Sequence, residues 1–331
     1  MISIDVRSNC REGKGVRQVE TSILNESTPE VNYCKILNKN LPPEIKFYAW
    51  AAVEQDFSAR FDCSRRAYRY FFPAGSLDLD AMRDAANRLI GLHDFRNFSK
   101  LDRTKLENNF MRSVQSIKIE PFVRFDQRQI SPEQKDAANH GWFAPEMILL
   151  EIVGKAYLWH QIRCIVAILF LVGEGKECPQ IVTDLLNTDQ YPQKPQYALA
   201  SELPLVLYEC DYESVQDWNY DLEAVQDAMG ALQDQFFQHC TKTTIATSML
   251  HDLAKLSSVN KSHLVPLQRY ILPQLRSSNH QPIATRPVSE TQLNKIGEQK
   301  VKNNIKHRQI SKMINLDDQE KRPRIEQSET D

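Results

Sequence analysis

The sequence predicts a mixed α/β protein of the α+β class, in which helices pack on a central, largely antiparallel sheet. Two observations lead to this prediction. Short segments rich in β-branched and aromatic residues alternate with segments whose apolar residues recur at helical spacing. Some of the strand-like segments also follow one another as hairpin-like pairs, and no repeat of fixed period runs along the chain.

Each element is predicted from its own local pattern. Strands are expected where aromatic and β-branched residues run between turn residues, at 45–53, 65–73, 112–119, 147–153 and 205–210. Helices are expected where apolar residues recur every three or four positions, at 31–38, 81–91, 159–173 and 179–186. Asp80 is the expected N-cap of the second helix and Gly91 its C-terminal residue. The third helix is apolar nearly all round and is therefore expected to be buried.

The composition is that of a globular protein with free thiols. With 331 residues, 41% of them hydrophobic and 25% charged, the chain is long enough for one large or two modest cores. Its 7 cysteines are far apart and form no Cys-x-x-Cys pair, which favours a reducing compartment. The net charge of -2 gives no overall attraction for a polyanion, so a nucleic-acid site needs local clustering of Lys and Arg. No apolar stretch reaches membrane-spanning length, so no membrane partner is expected.

Cations and aromatic rings interleave in two neighbouring segments, 56–61 and 65–70. On a strand, Arg66, Tyr68 and Tyr70 point to one face of the sheet. This combination suits RNA, because guanidinium groups pair with phosphates while a ring offers a flat surface to an unstacked base. Alternating aromatic residues also commonly pack a core, so these residues alone leave both interpretations open.

Four spaced motifs occur in one order along the chain. They are Ser58-Ala59-Arg60-Phe61, Arg66-x-Tyr68-x-Tyr70, Gly91-Leu92-His93-Asp94-Phe95-Arg96-Asn97-Phe98 and Ala156-Tyr157-Leu158-Trp159-His160-Gln161-Ile162-Arg163-Cys164. This series resembles the TruA-type tRNA pseudouridine synthases. Residues 191–197 and 203–208 are similar to the eukaryotic branch that modifies positions 38 and 39 of the anticodon stem-loop. The resemblance covers residues 1–213 and implies the pseudouridine synthase fold.

The resemblance also implies an activity and a set of site residues. Enzymes of this family detach uracil from its ribose, rotate it and rejoin it through carbon, with one catalytic aspartate, no cofactor and no metal. Tyr68 matches the tyrosine that packs against the flipped uridine, and Arg163 matches the arginine that orients the aspartate. Arg60 and Arg66 are expected to lie nearby and hold phosphates. Two structural alternatives stay open: Tyr68 as a core residue, and Arg163 as the partner of a buried carbonyl or acid.

One departure from the family pattern concerns the catalytic aspartate. Family members carry Gly-Arg-Thr-Asp-Lys-Gly-Val just before a strand that is similar to residues 2–7, and this chain starts on that strand. Residues 10–16 imitate the motif, but Glu12 and Gly13 stand where Thr and Asp are required. We therefore expect the aspartate loop to be absent and the chain as given to be inactive. The alternatives are a non-catalytic RNA-binding or dimer-forming fragment, and a structural α/β domain with neither property.

The same resemblance suggests how the chain is divided. Residues 1–75 are expected to be the remnant of an N-terminal α/β domain, and 76–215 the C-terminal catalytic body. Residues 216–276 are a predicted helical extension, and 277–331 a polar tail that we expect to be disordered. The implied partners are tRNA and a second copy of the chain in a homodimer. The basic run at 300–312 is expected to be a solvated tail, with a nuclear-import or RNA-contacting segment as the alternative. We expect the protein in the nucleus, the cytoplasm or both.

Overall fold

The computed structural model describes residues 31–100, 109–122, 146–215, 217–255 and 280–288. The strands are β1 (Ala49–Trp50), β2 (Arg65–Pro73), β3 (Gly91–Asp94), β4 (Met111–Pro121), β5 (Met147–Gly154), β6 (Leu205–Asp211) and β7 (Asn219–Tyr220). The helices are α1 (Tyr33–Asn40), α2 (Leu79–Asn87), α3 (Gln161–Gly173), α4 (Gln180–Leu186) and α5 (Leu222–Lys255). Strands β3-β4-β5-β2-β6 form an antiparallel sheet, and β1 pairs with β7. The predicted α+β class with an antiparallel sheet is confirmed.

Strand β2 lies between β5 and β6, and its side chains alternate between the two faces of the sheet. On one face, Tyr70 and Phe72 are fully buried against Phe170 of α3, with ring centroids 6.1 and 5.0 Å apart. On the other face, Arg69 donates a hydrogen bond of 2.7 Å to the Glu151 carboxylate on β5. The period of two read from the sequence therefore sets the orientation of the side chains along this strand.

Helix α3 is the most deeply buried element of the body. Each of its residues except Arg163 is buried, as its nearly continuous apolar sequence predicts. The helix was expected to begin at Trp159, but it begins at Gln161. The reason is that His160 has a left-handed backbone conformation, with φ of 57°, which no α-helical residue adopts.

The first turn of α2 differs from the sequence prediction. Its N-cap is Asp78, whose carboxylate accepts hydrogen bonds from the backbone amides of Asp80 (3.1 Å) and Ala81 (2.9 Å). The expected cap, Asp80, instead lies in the first turn, where it pairs with Arg83. Gly91 does not end this helix, because with φ of 115° it begins β3.

The predicted strand over 45–53 is wrong in extent. Only Ala49–Trp50 is paired, because its partner β7 offers just two residues. Helix α1 begins at Tyr33, where Asn32 caps it by accepting a hydrogen bond from the Lys35 amide. The predicted loop insertion around 126–140 and the segment before residue 31 lie outside the described residues.

The expectation of a disordered tail from residue 277 is wrong for 280–288. Ile283 in this segment is fully buried in the main core. The Glu177 carboxylate accepts the Ile283 amide at 2.7 Å and pairs with His280 at 2.8 Å. A β-bridge between Pro195 and Val288 holds the end of the segment. Residues 289–331, including the basic run, lie outside the described part of the chain.

Helix α5 covers 34 residues of the predicted helical extension and exposes many large apolar side chains. Its first turn is tied to the small sheet, because the Asp221 amide donates to the Tyr48 carbonyl at 2.9 Å. Among the helices of the described ranges, none is long and apolar enough to cross a membrane.

Gly154 at the end of β5 provides a test of how closely β4 and β5 approach. A Cβ atom there would lie 2.7 Å from the Ser113 carbonyl oxygen and 2.9 Å from the Tyr157 hydroxyl. We expect Gly154→Ala to lower the free energy of unfolding by about 1–3 kcal/mol, as measured by urea and thermal denaturation. Gly230→Ala on α5 is the control: a Cβ meets nothing within 4 Å, so it should be neutral or stabilising. Equal stability of Gly154→Ala and the wild type would contradict the described packing.

Candidate functional site

Tyr68 lies half-buried on the side of β2 that faces the helices. Its ring meets the Tyr157 ring edge-to-face, with centroids 5.3 Å apart and an interplanar angle of 87°. Burial raises the pKa of the Tyr68 hydroxyl above its ordinary value, and the positive charge of Arg66 opposes this only in part. The residue therefore offers a neutral aromatic ring that is neither fully in the core nor fully in solvent.

Arg163 is the one residue of α3 that escapes burial. Its Nε donates a hydrogen bond to the Ala200 carbonyl at 2.7 Å, and its Nη2 lies 2.8 Å from the Glu202 carboxylate. The Arg163 side chain is 18% exposed, whereas that of Glu202 is 75% exposed. Both structural alternatives considered from the sequence, a carbonyl and an acid, are thus partners of this guanidinium. Its outer edge faces a carboxylate that is free to move into solvent.

Tyr68 and Arg163 lie on the same side of the sheet, and Tyr70 connects them. Burial is the main cause of the raised pKa of Tyr70, and the nearby charge of Arg163 opposes it. Tyr68 follows the same face of β2, about 7 Å away along the strand. The sheet and α3 therefore bring the two residues with predicted roles to one region.

Two buried hydroxyl groups in this region are unsatisfied. Within the described part of the chain, the hydroxyls of Tyr70 and Tyr157 have no hydrogen-bond partner. Burial raises the pKa of both groups, so both remain protonated donors at neutral pH. Unpartnered buried polar groups cost free energy, and they are commonly found where a ligand or water supplies the missing partner. These two hydroxyls are therefore buried hydrogen-bond donors close to Tyr68 and Arg163.

Arg66 and Arg60 occupy different environments. The Arg66 guanidinium donates short hydrogen bonds to the backbone carbonyls of Arg60 and Lys155. It therefore joins the loop before β2 to the loop after β5, a role that sequence reasoning missed. Arg60 is exposed, with its guanidinium 5.6 Å from the centroid of the Phe61 ring. Of these two arginines, Arg60 has the more accessible charge for a phosphate.

Sequence reasoning also missed the contributions of Tyr157 and Glu202. Tyr157 stood inside the motif at 156–164, so its position was available as a signal, but no role followed from it. Glu202 lies in the loop before β6 and is brought to Arg163 only by the folded chain, so no local signal could have identified it. In the described ranges, no group of three or more His, Cys, Asp or Glu side chains is placed to hold a metal ion.

The chain is similar to a known protein family and to several individual proteins. A family model described as tRNA pseudouridine synthase matches residues 85–213, which include β3 to β6 and Arg163. Proteins named tRNA pseudouridine(38/39) synthase from Homo sapiens and Bos taurus are 41% and 40% identical to this chain over 255 residues. Residues 85–213 of this chain belong to the tRNA pseudouridine synthase family. Each of these two alignments covers 76% of this chain and 50% of the relative.

The likeness extends to fungi. A synthase of the same name from Saccharomyces cerevisiae is 36% identical over 219 residues, which are 66% of this chain and 43% of that protein. The chain spans about half the length of the human and bovine synthases that it matches. Within the family model's range lie Tyr157, Arg163 and Glu202, whereas Arg60, Arg66 and Tyr68 precede it.

The bridging role of Arg66 can be tested by exchange of one cation for another. In Arg66→Lys, a single ammonium group cannot reach two carbonyls as the planar guanidinium does. We expect a loss of about 1–3 kcal/mol in unfolding free energy and faster amide exchange in residues 56–62 and 155–160. Hydrogen–deuterium exchange with mass spectrometry measures this. Arg60→Lys is the matched control and should leave exchange unchanged; a similar effect of both substitutions would refute the bridge.

Proposed function

We propose that this chain forms the uridine-holding part of a tRNA pseudouridine synthase that acts at positions 38 and 39 of the anticodon stem-loop. The observation that supports this most is the placement of Tyr68 and Arg163 on one side of the sheet, next to two unsatisfied hydroxyls. The reaction breaks the bond from N1 of uracil to C1′ of ribose and forms one from C5 to C1′. N1 gains a proton and C5 loses one, so the product is an isomer of the substrate.

In this proposal Tyr68 receives the base after it leaves the RNA stack. Taking a base out of its stack costs a few kcal/mol, and stacking on an aromatic ring contributes about 1–3 kcal/mol in return. The edge-to-face contact with Tyr157 holds the Tyr68 ring in place. Because burial raises its pKa, the Tyr68 hydroxyl stays neutral beside the phosphates of the RNA.

Arg163 is proposed to orient the catalytic carboxylate. Its contact with the Ala200 carbonyl fixes one edge of the guanidinium, and the exposed Glu202 occupies the other edge. An aspartate can replace Glu202 there, because that side chain can turn into solvent. An adjacent guanidinium also favours the ionised form of the carboxylate that the reaction needs.

The aspartate itself is proposed to come from the Gly-Arg-Thr-Asp-Lys-Gly-Val segment of the family, which does not occur in the 331 residues. We therefore propose that the 331-residue chain binds RNA without turnover and that the segment restores activity. We further propose that the protein works in the nucleus or the cytoplasm. In support, each cysteine that the structure describes is a free thiol, as expected in a reducing compartment.

Activity can be measured by release of tritium from C5 of uridine 38 or 39 in an anticodon stem-loop. With the family segment joined to the N-terminus, we expect release that Arg163→Ala lowers by at least about 100-fold, because the carboxylate loses its orientation. Tyr68→Leu should lower substrate affinity by about 5- to 100-fold through lost stacking. Lys118→Ala, at an exposed site on β4, is the control. Unchanged activity of both site variants would remove the assignment, and release by the chain as given would refute the need for the segment.

We propose that a second copy of the chain pairs with the exposed apolar face of α5 to form the homodimer. Along this helix the apolar residues follow alternating steps of three and four, the spacing of a coiled coil. They are Leu222, Val225, Met229, Leu232 and Phe236. A second α5 presents the same spacing. The flanking Gln226, Gln233 and Gln235 are uncharged, so two copies meet without like-charge repulsion at these positions.

The free energy available from this apolar face is comparable with the cost of association. Leu222 is 74%, Met229 56%, Leu232 65% and Phe236 48% exposed in the single chain. Fully burying such a side chain is worth about 1.5–3 kcal/mol, and each copy contributes the same set. Scaled by these exposed fractions, the side chains of the two copies together gain about 7–15 kcal/mol, which is of the same size as the cost of about 4–15 kcal/mol for immobilising two molecules against each other.

Two adjacent phenylalanines provide a matched test of the dimer. Phe236 belongs to the coiled-coil positions, whereas Phe237 is 65% exposed and lies beside them. We expect Phe236→Glu to shift the mass measured by light scattering after size exclusion from dimer to monomer, because it places charges within the paired face. Phe237→Glu should remain dimeric. A wild-type chain that is monomeric at micromolar concentrations, or equal behaviour of the two variants, would contradict this pairing.

A further inference from the structure

An exposed tryptophan stands beside Arg163 in a cationic surrounding. Trp159 is 43% exposed, although it directly precedes the buried helix α3. The Lys100 ammonium lies 5.2 Å from the centroid of the Trp159 ring, and the Lys100 amide donates to the Trp159 carbonyl at 3.0 Å. The His160 ring lies 4.6 Å from the Trp159 ring, tilted by 43°. We call Lys100, Trp159 and His160 the Trp159 surface.

The backbone holds this surface in an uncommon conformation. His160 has φ of 57°, and it is the only residue other than glycine with a positive φ among those the structure describes. Such a conformation costs free energy in a residue with a Cβ atom and is found preferentially at functional sites. Because of this conformation at His160, Trp159 is not part of helix α3, and its ring remains partly exposed.

The charges around the Trp159 surface are mainly positive. The pKa of His160 is lowered, first by burial and then by the neighbouring charges of Arg163, Lys100 and Lys194. Among the residues that act on it, Glu202 alone has the opposite effect, and its carboxylate already pairs with Arg163. The surface therefore has an excess of positive charge that attracts an anion.

We propose that the Trp159 surface binds the nucleotide next to the target uridine in the RNA strand. Its base stacks on the exposed ring of Trp159, and its phosphate pairs with the Lys100 ammonium. The inference rests on the proposed function, because that function places the uridine beside Tyr68 and Arg163. It adds a second contact point, which determines where the RNA strand runs.

The geometry fits one neighbouring nucleotide. His160 Nδ1 lies 3.4 Å from Nη1 of Arg163, so the surface adjoins the proposed catalytic region directly. A base and a phosphate that belong to the same nucleotide can reach a ring and an ammonium 5.2 Å apart. Stacking on a ring tolerates any base, so this contact positions the strand without requiring a particular sequence.

The first test measures binding of a fluorescently labelled anticodon stem-loop to the chain by anisotropy. We expect Trp159→Ala to weaken binding by about 5- to 100-fold, whereas Trp159→Phe, which keeps a ring, stays close to the wild type. The logarithm of the RNA-binding constant falls linearly with the logarithm of salt concentration, and Lys100→Ala should make this fall less steep by about one unit of slope. Such a change is expected when one phosphate contact is lost. Lys118→Ala removes an exposed lysine on β4 and serves as the control for charge. Equal binding by the wild type and Trp159→Ala overturns the proposal.

The second test identifies the nucleotide. A series of stem-loops carries one abasic site at each position near the uridine. On the RNA that lacks the contacted base, the wild type and Trp159→Ala should bind equally, because there is nothing left to stack. A Trp159→Ala defect of the same size on every abasic RNA would mean that a different partner or a folding defect is responsible, and would overturn the proposal.

The two proposals fail separately. If Trp159→Ala binds every RNA like the wild type while Arg163→Ala abolishes tritium release, the Trp159 surface is refuted and the proposed function stands. If the stacking signature is found but the chain joined to the family segment releases no tritium, the surface stands and the proposed function is refuted. If the chain binds none of these RNAs, both the Trp159 surface and the proposed RNA binding by this chain are refuted, and tritium release by the chain joined to the family segment tests the isomerase activity separately.

Discussion

The burial of α3 against β2 determines where every residue of the candidate site lies. Phe170 packs on Tyr70 and Phe72, and these three rings are almost completely removed from solvent. Each fully buried aromatic side chain contributes about 1.5–3 kcal/mol, so the contact fixes both the depth and the rotation of the helix. With the helix fixed, Arg163 can emerge only at the edge next to Tyr70, and the residues before the helix can only lie beside it.

The positive charge of a guanidinium at the edge of such a core needs hydrogen-bonding or charged partners. Removing a charge from water without partners is unfavourable, and Arg163 meets this requirement through the Ala200 carbonyl and the Glu202 carboxylate. The carbonyl partner is held in place by the surrounding fold, whereas Glu202 is mostly exposed. The site therefore combines a fixed orientation of the arginine with a carboxylate partner that lies mostly in solvent.

Much of the fold could be predicted because local patterns and tertiary packing agree. Strand β2 begins and ends where its alternating rings predicted, since the buried face is the one that repeats. The cap of α2 was assigned to the wrong aspartate, because Asp78 and Asp80 are equivalent by sequence and differ only in backbone conformation. The short β1 and the docked residues 280–288 depend on partners far along the chain, which no local pattern reveals.

The same distinction applies to the candidate site. Alternation along β2 predicted that Tyr68 shares a face with Tyr70, and the apolar sequence of α3 predicted a buried helix around Arg163. The bridging of two loops by Arg66 was not predictable, because its acceptor at Lys155 is 89 residues away. The family motifs identified Tyr68 and Arg163 as candidate site residues, whereas their contacts with Tyr157, Ala200 and Glu202 are evident only in the three-dimensional structure.

The burial of all but one residue of α3 has a consequence for how variation in this protein is interpreted. Substitutions along the helix alter packing, and most of them will reduce the amount of folded protein in a cell. Under the proposed function, Arg163 is the position on this helix where a change removes chemistry and disturbs the core least. A mutational survey that reports growth alone would merge these two effects, so protein level and activity have to be recorded side by side for this element.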